Sequence, residues 1–175
     1  MPWWLWAILL VFLAFGFVVV RGAPYVPSHR RFVRIAFTEL YPLSKDDVLV
    51  DLGSGDGIVL RLAAEKGARA IGYELNPILV LLSRFLSREY PTVSTQTADF
   101  WRTEMPLKTT VVYAFSVSRD IPKLERKLQQ TATACGHPVS LITYGAKLKN
   151  REPVKMVHAH ALYVFTPEPL QQAEA

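Results

Sequence analysis

The stretch Val48-Leu49-Val50-Asp51-Leu52-Gly53-Ser54-Gly55-Asp56-Gly57 decides the fold of this chain. An apolar strand that ends in an acidic residue runs into three glycines at alternate positions. Glycine permits turn conformations that a Cβ obstructs, and it lets a ligand lie directly against the main chain. The residues that follow suit the inner face of a helix: Ile58, Val59, Leu62 and Ala63. The stretch therefore predicts a strand, a ligand-binding turn and a helix whose N-terminus faces the ligand.

Strands and helices alternate along the rest of the chain. Seven apolar segments predict strands, at 48–51, 70–74, 93–97, 110–115, 139–144, 154–158 and 160–165. This alternation predicts an α/β protein with a doubly wound, mainly parallel, seven-stranded, Rossmann-like sheet that is covered by helices on both faces. The last two strands are expected to pair as a terminal hairpin.

Four helices are predicted, at 28–39, at 57–66, from residue 76 onward and at 120–130. The third has the clearest start, because Asn76 can cap a helix that has Pro77 in its first turn. Its inward face is predicted to carry four apolar residues: Ile78, Leu81, Leu82 and Phe85.

Two kinds of cofactor compete for the glycine turn. A dinucleotide fold requires Gly-x-Gly-x-x-Gly, with a pyrophosphate at the helix N-terminus, whereas the spacing here is Gly-x-Gly-x-Gly. Asp51 lies two residues before the first glycine, where a carboxylate would repel a pyrophosphate. It suits a ligand with a cationic ammonium and sulfonium, such as S-adenosylmethionine. The pattern favours this methyl donor over NAD, while three glycines alone would also fit a turn without a ligand.

Acidic residues end three successive strands. In an open α/β sheet, ligands bind beyond the carboxyl ends of the strands, beside the first strand. Asp51, together with the turn residues Gly53, Ser54, Gly55 and Gly57, is expected to hold the methionine part. Glu74 closes the second strand, where its two oxygens can accept both ribose hydroxyls, and Asp99 follows the third, where it can accept from the adenine amino group. Acidic residues also cap helices at strand ends, so the order of all three carries the prediction.

The first 21 residues predict a single-pass membrane anchor. Pro2–Val20 contains no charged residue, and as a helix it would span roughly 28 Å, about the thickness of a hydrocarbon core. Trp3, Trp4 and Trp6 lie at one end, while basic residues, from Arg21 to Arg34, follow the other. The basic side is expected in the cytoplasm or an equivalent compartment. A cleaved signal peptide and a buried core helix are disfavoured, because no basic residue precedes the run and the run has no polar face.

The predicted organisation is an anchor at 1–21, a lead-in segment and helix at 22–44, and the main domain at 45–170. All of the net charge of +5 follows the anchor, and this favours anionic head groups over nucleic acid as a partner. Cys135 is the only cysteine, which excludes an internal disulfide. His158 and His160 are predicted to face one side of a strand without an acidic partner, so no metal site is expected.

The segments Asp51–Gly57, Gly72-Tyr73-Glu74-Leu75-Asn76-Pro77 and Asp99-Phe100-Trp101 resemble class I S-adenosylmethionine-dependent methyltransferases. More narrowly, the chain resembles the membrane-anchored protein-lysine methyltransferases that modify the mitochondrial adenine nucleotide translocase and the c-type ring protein of ATP synthase. The N-terminal apolar segment, the Pro24-Tyr25-Val26-Pro27 lead-in and 124–128 resemble that group too. The resemblance covers most of 22–130.

That resemblance implies a methyltransferase fold in which Asp51, Gly53, Gly55, Glu74 and Asp99 bind the cofactor. It also implies a protein substrate at the membrane and a lead-in around Tyr25 that folds over the pocket. The fourth strand is followed by Ser116-Val117-Ser118, without the Asn/Asp-Pro-Pro-Tyr of amide and adenine N-methyltransferases, which argues against nucleic-acid bases as substrates.

A lysine acceptor must lose its proton before it attacks, and an apolar channel favours the neutral amine. Aromatic residues that could line such a channel are Tyr25, Trp101, Tyr113, Phe115 and Tyr144. Tyr25 and Ser116 are the catalytic candidates, and the sequence identifies no general base. A small-molecule, lipid or quinone acceptor and a non-catalytic S-adenosylmethionine-binding membrane protein are the alternatives.

Overall fold

A seven-stranded sheet forms the centre of the protein. The computed structural model describes residues 2–6, 8–9, 29–115 and 120–168. The strands follow the order β3-β2-β1-β4-β5-β7-β6, and β1 to β5 run parallel, whereas β7 is antiparallel to both β5 and β6. Their bounds are β1 Val48–Leu52, β2 Arg69–Glu74, β3 Val93–Thr97, β4 Val111–Phe115, β5 Val139–Tyr144, β6 Lys155–Val157 and β7 His160–Phe165. The predicted mainly parallel sheet and its terminal hairpin are confirmed.

Helices cover both faces of this sheet. They are α1 Arg30–Ile35, which continues into a π-helical turn at Ala36–Leu40, α2 Ile58–Ala64, α3 Pro77–Leu86 and α4 Ile121–Cys135. Alternate residues of β1 point to opposite faces. Leu49 packs in a core with α1 and α2, whereas Val50 and Leu52 pack in a second core with α4. The doubly wound architecture is therefore confirmed.

The predicted start of α3 is confirmed, but its predicted inward face is wrong. Asn76 caps the helix by accepting a 3.0 Å hydrogen bond from the Ile78 N–H. Val80 and Ser83 are the buried residues, and Ser83 shares a 2.7 Å hydrogen bond with Thr95 of β3. The four apolar residues expected inside are exposed instead: Ile78, Leu81, Leu82 and Phe85. The helix lies over the edge strand, where small polar side chains make the contact.

The predicted membrane anchor falls largely outside the described residues. Residues 3–6 and 8–9 are helical, and Trp3 is 81% exposed. Within the described ranges, none of the helices has both the length and the apolarity that a membrane crossing requires. Residues 10–28, including the lead-in around Tyr25, are not described.

The strand order fixes where a ligand can bind. The order reverses at β1, because β2 and β4 flank it on either side. The carboxyl ends of β1, β2 and β3 lie at one edge, since these strands are parallel neighbours. The ladder between β2 and β3 reaches one residue past the strand, where the Ala98 N–H donates to the Glu74 carbonyl at 3.0 Å. The three acidic strand ends are thereby brought together.

Candidate functional site

The glycine turn is attached to the end of β2. The N–H groups of Gly53 and Ser54 both donate to the Tyr73 carbonyl, at 2.9 and 3.1 Å, and the Gly55 N–H donates to Glu74 Oε2 at 2.9 Å. These three donors are therefore satisfied within the protein. A Cβ at Gly53 would meet nothing within 4 Å, so this side of the turn is open. A ligand can approach the main chain there.

Gly72 of β2 lets the turn lie against the sheet. It pairs with Asp51 in the ladder between β1 and β2. A Cβ at this position would lie 2.6 Å from Ser54 Cβ and 2.7 Å from Leu60 Cδ1, closer than real side chains approach. Only glycine leaves room for both neighbours. The turn is thus held by a steric requirement as well as by hydrogen bonds.

An internal carboxylate occupies the N-terminus of α2. Asp56 Oδ1 accepts from the Ile58 N–H at 3.2 Å, and its Oδ2 lies 3.3 Å from Nη2 of the buried Arg61. Arg61 Nη1 also donates to the Asp56 carbonyl, at 2.6 Å. Helix N-termini attract anions, and dinucleotide folds place their pyrophosphate there. Because Asp56 fills this position, the site disfavours a pyrophosphate ligand.

Asp51 is a buried acid without a counter-charge. Its residue is 3% exposed, and its carboxyl accepts no hydrogen bond from any residue in the described ranges. Burial, followed by the negative charges of Glu74 and Asp56, raises the pKa of the Asp51 carboxyl to about 8. An unpaired buried charge is costly. A cationic ligand group beside Asp51 would favour the carboxylate and remove that cost.

Glu74 is held in place with acceptor capacity remaining. Its Oε2 accepts from the Gly55 N–H, and its Oε1 accepts from the Asn76 N–H at 2.8 Å. A carboxylate has about four acceptor positions, so two bonds leave it able to accept more. Glu74 is half-buried, which keeps this capacity within reach of a ligand. Two hydroxyl groups of one ligand would fit it.

Asp99 follows β3 and caps the next turn. Its Oδ1 accepts from the Trp101 N–H at 2.9 Å, whereas its Oδ2 lies 3.7 Å from Nε of Arg102, whose side chain is 90% exposed. The alternative role as a cap therefore applies to one of its oxygens. The other is only weakly engaged and lies at the same edge of the sheet as Glu74.

Three predicted lining residues cluster beyond β4 and β5. The rings of Phe115 and Tyr144 stack with centroids 5.1 Å apart, and Tyr113 packs one ring further along, against His160. Trp101 is not part of this cluster, because it packs beside Phe100 in the core on the α4 face.

His160 joins this aromatic cluster as a core residue. It is 1% exposed, and its Nε2 lies 3.0 Å from the Tyr113 hydroxyl. Burial, with a smaller effect of His158, lowers the pKa of His160 to about 4, so the ring is neutral at physiological pH. His158 lies in the hairpin turn with φ +54°, not in a strand as predicted. Within the described residues, no three metal-ligating side chains form a group.

Several residues of the site were missed at the sequence level, and the two catalytic candidates remain untested. The Asp56–Arg61 pair has a readable signal, because an acid two residues before a helix is a common cap. The Tyr113–His160 contact joins residues 47 positions apart and has no local signal. Tyr25 and Ser116 lie outside the described residues, as do residues 117–119.

A comparison with known families identifies the chain. A family model described as the ANTKMT methyltransferase domain matches residues 51–155, which include all three acidic strand ends. The chain belongs to this methyltransferase family. The resemblance noted in the sequence is thereby confirmed, and so is the methyltransferase form of the Rossmann-like fold.

Relatives of known activity are found in this family. A Xenopus laevis lysine N-methyltransferase named for the c-type ring protein of ATP synthase is 40% identical over 109 residues, which is 61% of this chain and 47% of the relative. The human protein of the same name is 34% identical over 141 residues, or 71% of this chain and 60% of the relative. A mouse adenine nucleotide translocase lysine N-methyltransferase is 43% identical over 82 residues, or 46% and 34%. The chain spans about half the length of the curated relatives it matches.

A solved structure shares most of the fold. An RNA methyltransferase from Salinibacter ruber, crystallised with S-adenosyl-L-homocysteine, superposes with a TM-score of 0.70 at 28% identity. The match covers 84% of this chain and 97% of that one.

Substituting Gly72 with alanine should displace the glycine turn. We expect a loss of about 1–3 kcal/mol from overpacking, seen as a fall in melting temperature of roughly 2–4 °C per kcal/mol. A Gly72→Ala/Ser54→Gly double variant should recover part of the loss, because it clears one of the two neighbours. A melting temperature unchanged by Gly72→Ala would contradict the steric account.

Asp51→Asn should stabilise the ligand-free protein in a pH-dependent manner. The native pKa of about 8 lies above the ordinary value, so the folded state keeps a proton that the unfolded chain releases, and stability falls as pH rises between about 4 and 8. The variant lacks this loss. Its advantage in melting temperature should grow from pH 5 to pH 8, whereas Asp46→Asn, at an exposed position, should show none. A gap that stays constant with pH would refute the proposed burial cost.

Proposed function

We propose that this chain is a membrane-tethered, S-adenosylmethionine-dependent protein-lysine N-methyltransferase. The observation that carries the proposal is the buried, unpartnered Asp51 carboxyl, which sits beside an open glycine turn at the reversal point of the sheet. Family membership supports the reaction class. The relatives named for lysine methylation support the acceptor.

Each part of the cofactor has a matching group at this edge of the sheet. Asp51 would pair with the ammonium of the methionine part, and the open face at Gly53 would admit the chain that joins it to the sulfonium. Glu74 would accept from the ribose hydroxyls. Asp99 would accept from the adenine amino group, and Leu75, which is 44% exposed directly after Glu74, would offer the ring an apolar contact.

The chemistry asked of the protein is mainly positioning. When bound, the cofactor supplies an electrophilic methyl group on sulfur. The chain must align a lysine amine with that group and exclude water. Phe115 and Tyr144, half-buried at the ends of β4 and β5, would present aromatic faces to the lysine and favour its neutral form by desolvation.

The acceptor is proposed to be a lysine of a protein at the membrane surface. The uncharged Pro2–Val20 run supports a single-pass anchor, and the basic residues after it support a catalytic domain on the cytoplasmic or matrix-equivalent side. The proteins for which the relatives are named, the c-type ring protein of ATP synthase and the adenine nucleotide translocase, provide the type of target.

The acceptor can be identified with radiolabelled cofactor. The full-length chain, purified in detergent, is incubated with methyl-labelled S-adenosylmethionine and with membranes and RNA from its host. We expect label in a protein band, on a lysine located by mass spectrometry. Glu74→Gln should reduce transfer by about tenfold or more, since it weakens hydrogen bonds worth about 1–3 kcal/mol. The exposed Glu152→Gln variant serves as the matched control and should keep full activity.

Other outcomes would replace the proposal. Label in the lipid extract would indicate a lipid or quinone acceptor, and label in RNA would indicate an activity like that of the Salinibacter ruber neighbour. Cofactor binding without transfer to any fraction would indicate a non-catalytic binding protein.

A further inference from the structure

The outer face of α3 carries an unusual apolar stripe. Ile78, Leu81, Leu82 and Phe85 are 52%, 65%, 41% and 63% exposed, and their spacing places them on one side of the helix. The buried contact, at Val80 and Ser83, lies on the opposite side. Contiguous apolar patches on a protein surface mark interaction sites. These four exposed residues form the outer stripe.

Two arginines flank the outer stripe on the side of the sheet edge. Arg84 Nε donates to the Thr95 carbonyl at 2.9 Å, which holds its guanidinium over β3, and the Arg88 guanidinium lies 4.9 Å from the Phe85 ring centroid. Both line a hollow of about 490 Å³ between α3 and β3, together with Ser87. The buried Ser87 hydroxyl has no hydrogen-bond partner in the described part of the chain. The hollow therefore offers two cations and a free hydroxyl next to an apolar surface.

The N-terminal segment joins the fold on the same side as α3. Helix α1 packs against α2 in one core, and Arg34 of α1 pairs with Glu65 at the end of α2. Arg30, at the start of α1, and Tyr90, four residues after α3, line one small hollow. Only nine residue steps separate Val20 from His29, a reach of about 30 Å at full extension. A bilayer that holds the uncharged run must lie close to this face.

We propose that α3 lies in the interface of a bilayer containing anionic phospholipid, with the outer stripe among the acyl chains and Arg84, Arg88 and Ser87 against a headgroup phosphate. The proposal rests on the membrane tether of the proposed function. An apolar face bordered by arginines is typical of helices that lie in the interfacial plane. A second copy of the chain fits less well, because one ten-residue helix is short for a stable dimer interface and a two-fold pair would bring like charges together.

This arrangement would orient the site towards its substrate. Helix α3 begins at Pro77, three residues after Glu74. Seating the helix in the interface would hold the carboxyl edge of the sheet at a fixed height above the membrane. Lysines in short loops of integral proteins would be the groups within reach.

Site-specific fluorescence can test the position of α3. In the full-length chain with Cys135→Ser, single cysteines replace Leu81 or, as the matched control, the exposed Gln130 of α4 on the opposite face of the sheet. Each is labelled with the polarity-sensitive dye NBD and reconstituted into phosphatidylcholine/phosphatidylglycerol vesicles, with or without nitroxide-labelled lipid. We expect blue-shifted emission at position 81, with more than about half of it quenched by the nitroxide lipid, as for a face buried in the interface. Position 130 should show water-like emission and little quenching.

The charge contribution is measured on the same labelled proteins. Arg84→Gln/Arg88→Gln should reduce the quenching at position 81 in the mixed vesicles and have little effect in pure phosphatidylcholine. Water-like emission at position 81 in vesicles would overturn the proposal. Blue-shifted emission without nitroxide quenching would also overturn it, since the stripe would then be covered by protein. Cofactor binding by the same samples reports separately on the proposed function.

Discussion

Asp51 is buried at the end of β1 with no hydrogen-bond donor from the described residues and with two further carboxylates nearby. In a chain of net charge +5, this concentration of negative charge at one sheet edge is a local feature. Its cost is met when a cation binds. The Asp56 carboxylate at the start of α2 fills the place that a phosphate would take, so the same charges that attract a sulfonium donor disfavour a nucleotide diphosphate.

The surrounding structure keeps that arrangement rigid before any ligand binds. Backbone donors of the glycine turn bond to Tyr73 and Glu74, and Gly72 allows the turn to approach the strand. Glu74 therefore both fixes the turn and faces the ligand. Helix α3 starts directly after it, so a surface that seats α3 also sets the position of the site. Cofactor binding and membrane contact would share one short segment of chain.

Much of this could be predicted from the sequence, because it depends on local patterns. Strand bounds, the Asn76 cap and the three acidic strand ends follow from periodicity and turn chemistry. The inward face of α3 could not be predicted, since apolar spacing reveals a stripe but not whether the core or a partner covers it. The role of the turn's N–H groups, which bond to β2, and the pairing of Tyr113 with His160 depend on contacts between distant segments.

The most direct test of the central claim is calorimetry of S-adenosylmethionine binding at pH 7 in buffers of different ionisation enthalpy. A carboxyl whose pKa is about 8 without ligand is mostly protonated at this pH, and pairing with an ammonium should release that proton. The observed heat should therefore change with the buffer in the sense of proton release, and Asp51→Asn should remove the dependence. Binding heats that are the same in every buffer for the unmodified protein would contradict the account.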